Sequence, residues 1–429
     1  GGAGPCVPSG PETCSSSADE DCDGTECSLW ARRYGSATDY EEPFYVSVTP
    51  SGEVYFMAYL ENGSVEFGGE TIAADATHSA FFGKLSASGE DLWFKTLPSP
   101  SPFGVTADDD VVLTYPFTGT IDLGGGPLTS NGASTAIVAY ASDGSHRWSK
   151  VVSGPVYISR MAQAPGGELV FQATAGASST YDGAPLTTGA AKLFFAVDSS
   201  DGTALWERPY VVSASSNFNP DQFAISPTGE ILVAGSYNGA LDLGGGVLPT
   251  GNDGVFLARY DADGNHIQSR RFCNLSCSTQ GFLPGPNGEL YFSGQTIGVV
   301  SIGPYTLSYP SSFVARLDEQ DDVVWLKSFS KSGDSYISAP ELSLKADGNI
   351  AFAHGYHGTA AWPFGSLTGI GEGDLAAGAF DPDGNLLWVR TFGAPNAWLQ
   401  YGITFFAGQP GGETTLALKL FQGAVDFGS

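Results

Sequence analysis

Residues 225–272 read ISPTGEILVAGSYNGALDLGGGVLPTGNDGVFLARYDADGNHIQSRRF. From the left, a strand meets a Gly turn and a second strand, ILVAGSY. A glycine-rich box, DLGGG, follows. A third strand, VFLARY, runs into DADGN, and Asp-Gly between apolar runs marks a hairpin because that turn needs positive φ. The fourth strand, HIQSRRF, completes a unit of four antiparallel strands.

The same grammar recurs along the chain, in VTPSGEVYFMAYLENG, QAPGGELVFQATAG, GPNGELYFSG and KADGNIAFAHGYHG. Trp stands in the fourth strand at positions 30, 93, 148, 206, 325 and 388, and Gln268 holds that register in the quoted unit. Successive spacings are 63, 55, 58, 62, 57 and 63 residues. A period near sixty built of four strands is the mark of a β-propeller. A string of separate small sandwiches is disfavoured, because one unit holds too few apolar residues to bury two faces alone. The expectation is an all-β, seven-bladed propeller over residues 29–429, preceded by a disulfide-rich acidic segment over 1–28. YGITFFAG (401–408) and TTLALKLFQGAVDFG (414–428) supply the first two strands of the seventh blade, and LWARRYG (29–35) is the N-terminal strand that closes it. Its third strand is missing from this order. Trimming of a longer chain, donation by a neighbouring molecule and fold-back of the N-terminal segment are the three ways to fill the slot, in that order.

With 46 acids against 18 bases the net charge is -28, which excludes nucleic acid and acidic membrane surfaces as partners and makes hard cations the natural counter-ions. No run of 18 apolar residues occurs. The chain opens on GGAGPCVPSGPETC, without a signal peptide, as a processed terminus would. Cys6, Cys14, Cys22 and Cys27 cluster at the start, and Cys273 and Cys277 stand together in FCNLSC. Even counts in local clusters, with no CxxC spacing and no adjacent His, point to disulfides rather than zinc. Cys273–Cys277 is the expected local pair; the first four Cys allow three pairings, of which Cys14–Cys22 with Cys6–Cys27 is preferred, and the expected address is extracellular or cell-surface.

The pattern G-x-[IL]-[DE]-[LF]-G-G-G-x-L…F-[LV]-A-R-[LY]-D-x-D-G-N-x-x-W resembles the β-propeller repeat of large bacterial cell-surface proteins, abundant in myxobacteria. The resemblance spans roughly residues 29–429, with degenerate boxes at Tyr181–Gly183 and at VSIGPYTL. It implies a propeller and no particular activity. PETCSSSADEDCDG, near the start, resembles a Cys- and Asp-rich metal-binding motif of myxobacterial surface proteins.

In that segment Asp19, Asp21 and Asp23, followed by Gly24, match the opening of a Ca²⁺ loop, with alternate carboxylates and a glycine for the bend. The alternative is a solvated acidic linker. No organic cofactor is expected. The sialidase Asp-box fails on spacing in SDGSHRW and SSDGTALW, and a faint likeness of LWERPY to quinoprotein repeats has no other support. His354 and His357 should face opposite sides of a strand, while His146 and His266 follow turns and should be exposed. ADDDVV (107–112) reads as a solvated acidic turn, with a cation site as the alternative. The six register Trp read as packing residues. Trp362 and Trp398 lie outside that register and, beside Pro or Gly, are the candidates for ligand contact. Carboxylates do not recur on the inner strands outside turns. The function expected is therefore non-enzymatic: binding of a protein or glycan surface, adhesion, or assembly, including self-association through the seventh blade. A polysaccharide-active hydrolase or lyase with its site in the central funnel is the rival. Calorimetry should show Ca²⁺ binding that Asp21→Ala abolishes, and loss of order in the N-terminal segment with chelator; no binding leaves the acidic linker.

Overall fold

A computed structural model describes residues 32–34 and, apart from short loops, residues 41–422. All its elements are β-strands. Six sheets of four antiparallel strands succeed one another over residues 41–97, 103–153, 156–209, 218–273, 277–331 and 336–392. We number them blades 1 to 6. The first strands are Glu41–Val48, Phe103–Val105, Val156–Gln163, Phe218–Ile225, Cys277–Pro284 and, in blade 6, Tyr336–Ile337 with Glu341–Leu344. Each lies against the first strand of the next blade, so these strands surround the propeller axis.

Between blades 6 and 1 the ring is completed by a two-stranded hairpin, Phe405–Gly408 and Thr414–Ala417, whose first strand touches Glu341–Leu344 and Glu41–Val48. The expected count of seven four-stranded blades is therefore corrected to six among the described residues. The expected N-terminal closing strand lies for the most part outside the described residues. Of residues 29–35, Arg32, Arg33 and Tyr34 are described, and they form no strand. Side chains hold them instead: Arg32 Nε donates to the Gly89 carbonyl at 2.7 Å and the Tyr34 hydroxyl to Asp91 Oδ1 at 2.6 Å. The Tyr34 ring stacks on Phe56 at 5.2 Å.

The second and third strands are buried on both faces, which is why they read as continuous apolar runs; Gly254–Tyr260 is buried throughout. The cores lie between blades. Leu232 and Leu257 of blade 4 pack with Leu290, Phe292 and Phe313 of blade 5 in one cluster. Each such side chain contributes roughly 1.5–3 kcal/mol on burial, and no sheet could obtain it alone.

Polar ties cross the same interfaces. The indole N–H of Trp93 donates to the Ser142 carbonyl of the next blade at 2.9 Å, that of Trp148 to Ser199 at 2.8 Å, and that of Trp325 to Pro382 at 2.9 Å. In every case the acceptor belongs to the turn before the neighbour's outer strand. Gln268 keeps the Trp register because its amide does the same work, donating to Glu319 O at 3.3 Å and to Asp321 Oδ2 at 2.8 Å. Asp321 is buried, and its carboxylate also meets Arg259, with Nε at 2.8 Å and Nη2 at 2.7 Å from Oδ1.

Glycine-rich boxes protect the outer edges, which would otherwise offer unpaired backbone to other chains. Thr180–Tyr181 pairs with Val152–Ser153 of blade 2, and Ala360–Ala361 with Ser330–Lys331 of blade 5. In the DLGGG boxes, Asp122 Oδ1 accepts the N–H of Gly124 and Gly126, as Asp242 Oδ1 accepts those of Gly244 and Gly246. A Cβ on Gly125 would fall 2.2 Å from the His146 ring, and one on Gly245 2.4 Å from that of His266, so a side chain at either position would have to displace the imidazole. Arg259→Ala would remove the cation bonded directly to the buried Asp321 carboxylate, leaving it the Gln268 amide and the weaker pull of Arg270. It should cost about 3–5 kcal/mol, read by denaturant unfolding, with Arg259→Lys recovering part of the loss.

Candidate functional site

The first strands of blades 1, 3, 4 and 5 each carry a β-bulge at the same level. The register breaks between Pro43 and Tyr45, Ile158 and Arg160, Pro220 and Gln222, and Thr279 and Phe282. A bulge leaves a residue outside the ladder and re-aims its side chain. Here the residues set free include Ser159, Asp221 and Gln280. Just past the bulge level, Tyr45, Arg160, Gln222 and Glu341 pair with equivalent second-strand residues, Met57, Gln172, Ala234 and Ala353. These positions form one tier around the axis.

The tier is linked from blade to blade. Arg160 Nη2 donates to the Asp221 backbone carbonyl at 3.0 Å, and the Thr279 hydroxyl to Asp221 Oδ1 at 2.7 Å. Gln280 Nε2 donates to Glu341 Oε1. Burial raises the Glu341 carboxyl to about 7 against the opposing pull of Gln280. Burial also raises Asp221, with Thr279, its own backbone and Arg160 opposing. Tyr45 is close enough to Arg160 and Tyr157 for both to act on its phenol, which burial raises. Tyr157 itself is 68 % exposed. The tier thus offers a cation, two desolvated carboxyls, an amide and an open aromatic face.

The expected candidates lie elsewhere. Asp19, Asp21, Asp23, Cys6, Cys14, Cys22 and Cys27 lie outside the described residues. Cys273 and Cys277 form the expected disulfide, Cα atoms 6.8 Å apart, joining blade 4 to blade 5. Trp398 pairs with Gln422 through its backbone, and its side chain is outside the described residues. Trp362 is corrected from an exposed loop residue to a buried one. It is 6 % exposed, with ring centroids 4.4 Å from His354 and 5.1 Å from Phe329, because its hairpin folds down over the edge of blade 5. His354 is wholly buried on the opposite face from His357, and burial lowers it to about 3. His146 and His266, expected in solvent, are half-buried against their glycine boxes. The acidic run at 107–112 is the expected turn, with Asp109 at φ 60°.

Sequence reading missed the tier. Its acids, Asp221 and Glu341, stand on inner strands, where the sequence shows no recurring carboxylates outside turns. A signal was present: PDQF, TQGF and PELS each place a polar residue one or two positions before the apolar residue that enters the core.

Among the described residues no group of three His, Cys, Asp or Glu side chains could hold a metal ion. No family model matches the chain. No curated protein matches it either. Solved structures of similar arrangement include BamB from Moraxella catarrhalis, 10% identical over 88% of this chain and 98% of that one, with a TM-score of 0.35. A quinohemoprotein alcohol dehydrogenase from Comamonas testosteroni is 9% identical over 79% and 72%, with a TM-score of 0.38. A protein of unknown function from Dyadobacter fermentans is 13% identical over 77% and 93%, with a TM-score of 0.40. Likeness at this level carries no argument about what this chain binds.

Because the folded Glu341 holds its proton more tightly than the unfolded chain does, its contribution to stability is full below the unfolded value of 4.5 and is lost as pH rises through about 7. Glu341→Gln should therefore gain melting temperature relative to the parent as pH goes from about 5 to about 8. An unchanged difference across that range would place Glu341 in water.

Proposed function

We propose that this chain is a non-enzymatic binding module, secreted or displayed at the cell surface, that serves adhesion or assembly by holding part of a protein or glycan surface in its central channel. One observation carries the reading: inner strands bulge at a common level and bring unlike polar side chains into one tier. A stretch of backbone that departs from its ladder in the same place in four blades, and whose side chains differ from blade to blade, suits a binding surface on a repeat scaffold. The Cys273–Cys277 disulfide supports an oxidising compartment. Asp19, Asp21 and Asp23 fit the same setting as a Ca²⁺ loop. Assembly has a natural point of attachment at the hairpin in the seventh place. There Thr414–Ala417 pairs with one strand among the described residues, and a strand from a second copy would extend it through backbone hydrogen bonds.

The second reading, a polysaccharide hydrolase or lyase, is favoured by one fact, a Glu341 carboxyl held near 7, where it could give or take a proton. The tier's other acid, Asp221, stands on blade 4, and Asp221 and Glu341 are each bonded to the inner strand of blade 5 between them, through Thr279 and Gln280. Glycan and peptide arrays decide between these readings. Binding by the parent protein that is lost in the double variant Arg160→Ala, Asp221→Ala supports the channel. Binding that survives in it overturns the channel as the site, and release of sugar that Glu341→Gln abolishes makes the protein an enzyme.

A further inference from the structure

We infer that the central channel takes a neutral, polyhydroxylated ligand, a carbohydrate segment, laid against the ring of Tyr157 and hydrogen-bonded by Arg160, Asp221, Gln280 and Glu341. This deepens the channel-binding reading and rests on it.

The bulge itself brings the aromatic face and the polar groups together. Tyr157 pairs with Thr174 and Arg160 with Gln172. Thr174 and Gln172 are two apart on one strand and share a face, so their partners share one too, although 157 and 160 would face oppositely on a regular strand. Both side chains are exposed. Tyr157 thus presents an open ring beside a planar guanidinium, a pairing suited to a flat apolar sugar face with hydroxyls at its margin.

The charges select against ions. An anion would meet Arg160 together with two carboxyl groups on a chain of net charge -28. A metal ion lacks a three-ligand cluster among the described residues. An organic cation would have to approach Arg160 and would need both carboxyls ionised, which their burial opposes. Hydroxyl groups fit the mixture, because each both donates and accepts. Arg160 only donates, Asp221 accepts, Gln280 does both, and Glu341 near neutrality alternates between the two. In three of these side chains an atom remains beyond the side-chain bonds named: Glu341 Oε2, Gln280 Oε1 and Arg160 Nε.

Calorimetric titration of the intact protein with neutral hexaoses of glucose, xylose and N-acetylglucosamine, with spermidine and citrate beside them, tests the inference. A hexaose should bind saturably. Tyr157→Ala and Arg160→Ala should each weaken it about tenfold or more at unchanged melting temperature, the size of one lost stacking or charge-assisted contact. Leu387→Ala, an exposed residue of the outer strand of blade 6, should leave binding as it was. Glu341→Gln should flatten the dependence of affinity on pH between about 6 and about 8. Binding of spermidine or citrate with no hexaose bound overturns the carbohydrate assignment and leaves the channel-binding reading standing. Hexaose affinity in Tyr157→Ala and Arg160→Ala equal to that of the parent overturns the site. Failure of every hexaose, with arrays on which the parent binds nothing, overturns both.

Discussion

The hydrogen bond from the outer strand of one blade to the turn of the next is the constraint on which this molecule depends. A four-stranded sheet of this composition has two apolar faces and no stable existence with either one wet. Face-to-face packing buries them, but dispersion and the hydrophobic effect are non-directional and do not set the angle at which sheets meet. The indoles of Trp93, Trp148 and Trp325 fix that angle, because each reaches a single carbonyl in the neighbour's hairpin. Gln268 shows that the bond matters as much as the ring: where the aromatic is absent, the donor is kept and a buried Arg259–Asp321 pair fills the interface. Losing one partner of such a pair strands the other charge in the interior, so this interface tolerates replacement of the whole set better than of a part.

Outer edges and glycine boxes follow from the same arrangement. Once each outer strand is aimed at the next blade, its far edge is free, and the box of that next blade lies over it as a hairpin. The degenerate boxes behave alike. Asp182–Gly183 turns between Thr180–Tyr181 and Ala184–Pro185, and Gly303 turns between Val300–Ile302 and Tyr305–Leu307. A backbone role needs positive φ and little room, which explains why the sequence of the box can vary while its glycine stays in the turn.

Much of this was legible before the structure. The Trp register, the Gln268 substitution, the Asp-Gly hairpins and the four-strand grammar are local signals repeated often enough that each occurrence supports the others. The rest was not legible, for identifiable reasons. Trp362 looked exposed because Pro and Gly flank it, yet its hairpin folds over blade 5, a tertiary event that local composition does not encode. His146 and His266 follow turns, and turns are usually wet, but the side-chain-free glycine boxes leave a hollow that the imidazoles fill. The blade count failed because the terminal segments were counted as a seventh blade although its third strand was missing, and among the described residues that place holds a two-stranded hairpin. The bulged tier was missed because a bulge is a relation between two strands, and pattern-reading within one strand sees only a broken alternation.

That last failure points to where function sits on such a scaffold. Positions that tie blades together must do the same thing in every unit, so they repeat, and repetition is what sequence analysis detects. An inner-strand position at the bulge is relieved of that uniform duty: its backbone has left the ladder, and the links made there differ from one blade pair to the next. Tyr45, Arg160, Gln222 and Glu341 occupy equivalent places and are four different chemical groups. A ring of identical residues would give the channel one property multiplied by the number of blades, as suits an ion. A ring of unlike donors and acceptors gives it an asymmetric outline that only a ligand with its own asymmetric arrangement of groups can match. The irregularity that hid the site from the repeat is therefore the same irregularity that would make it selective.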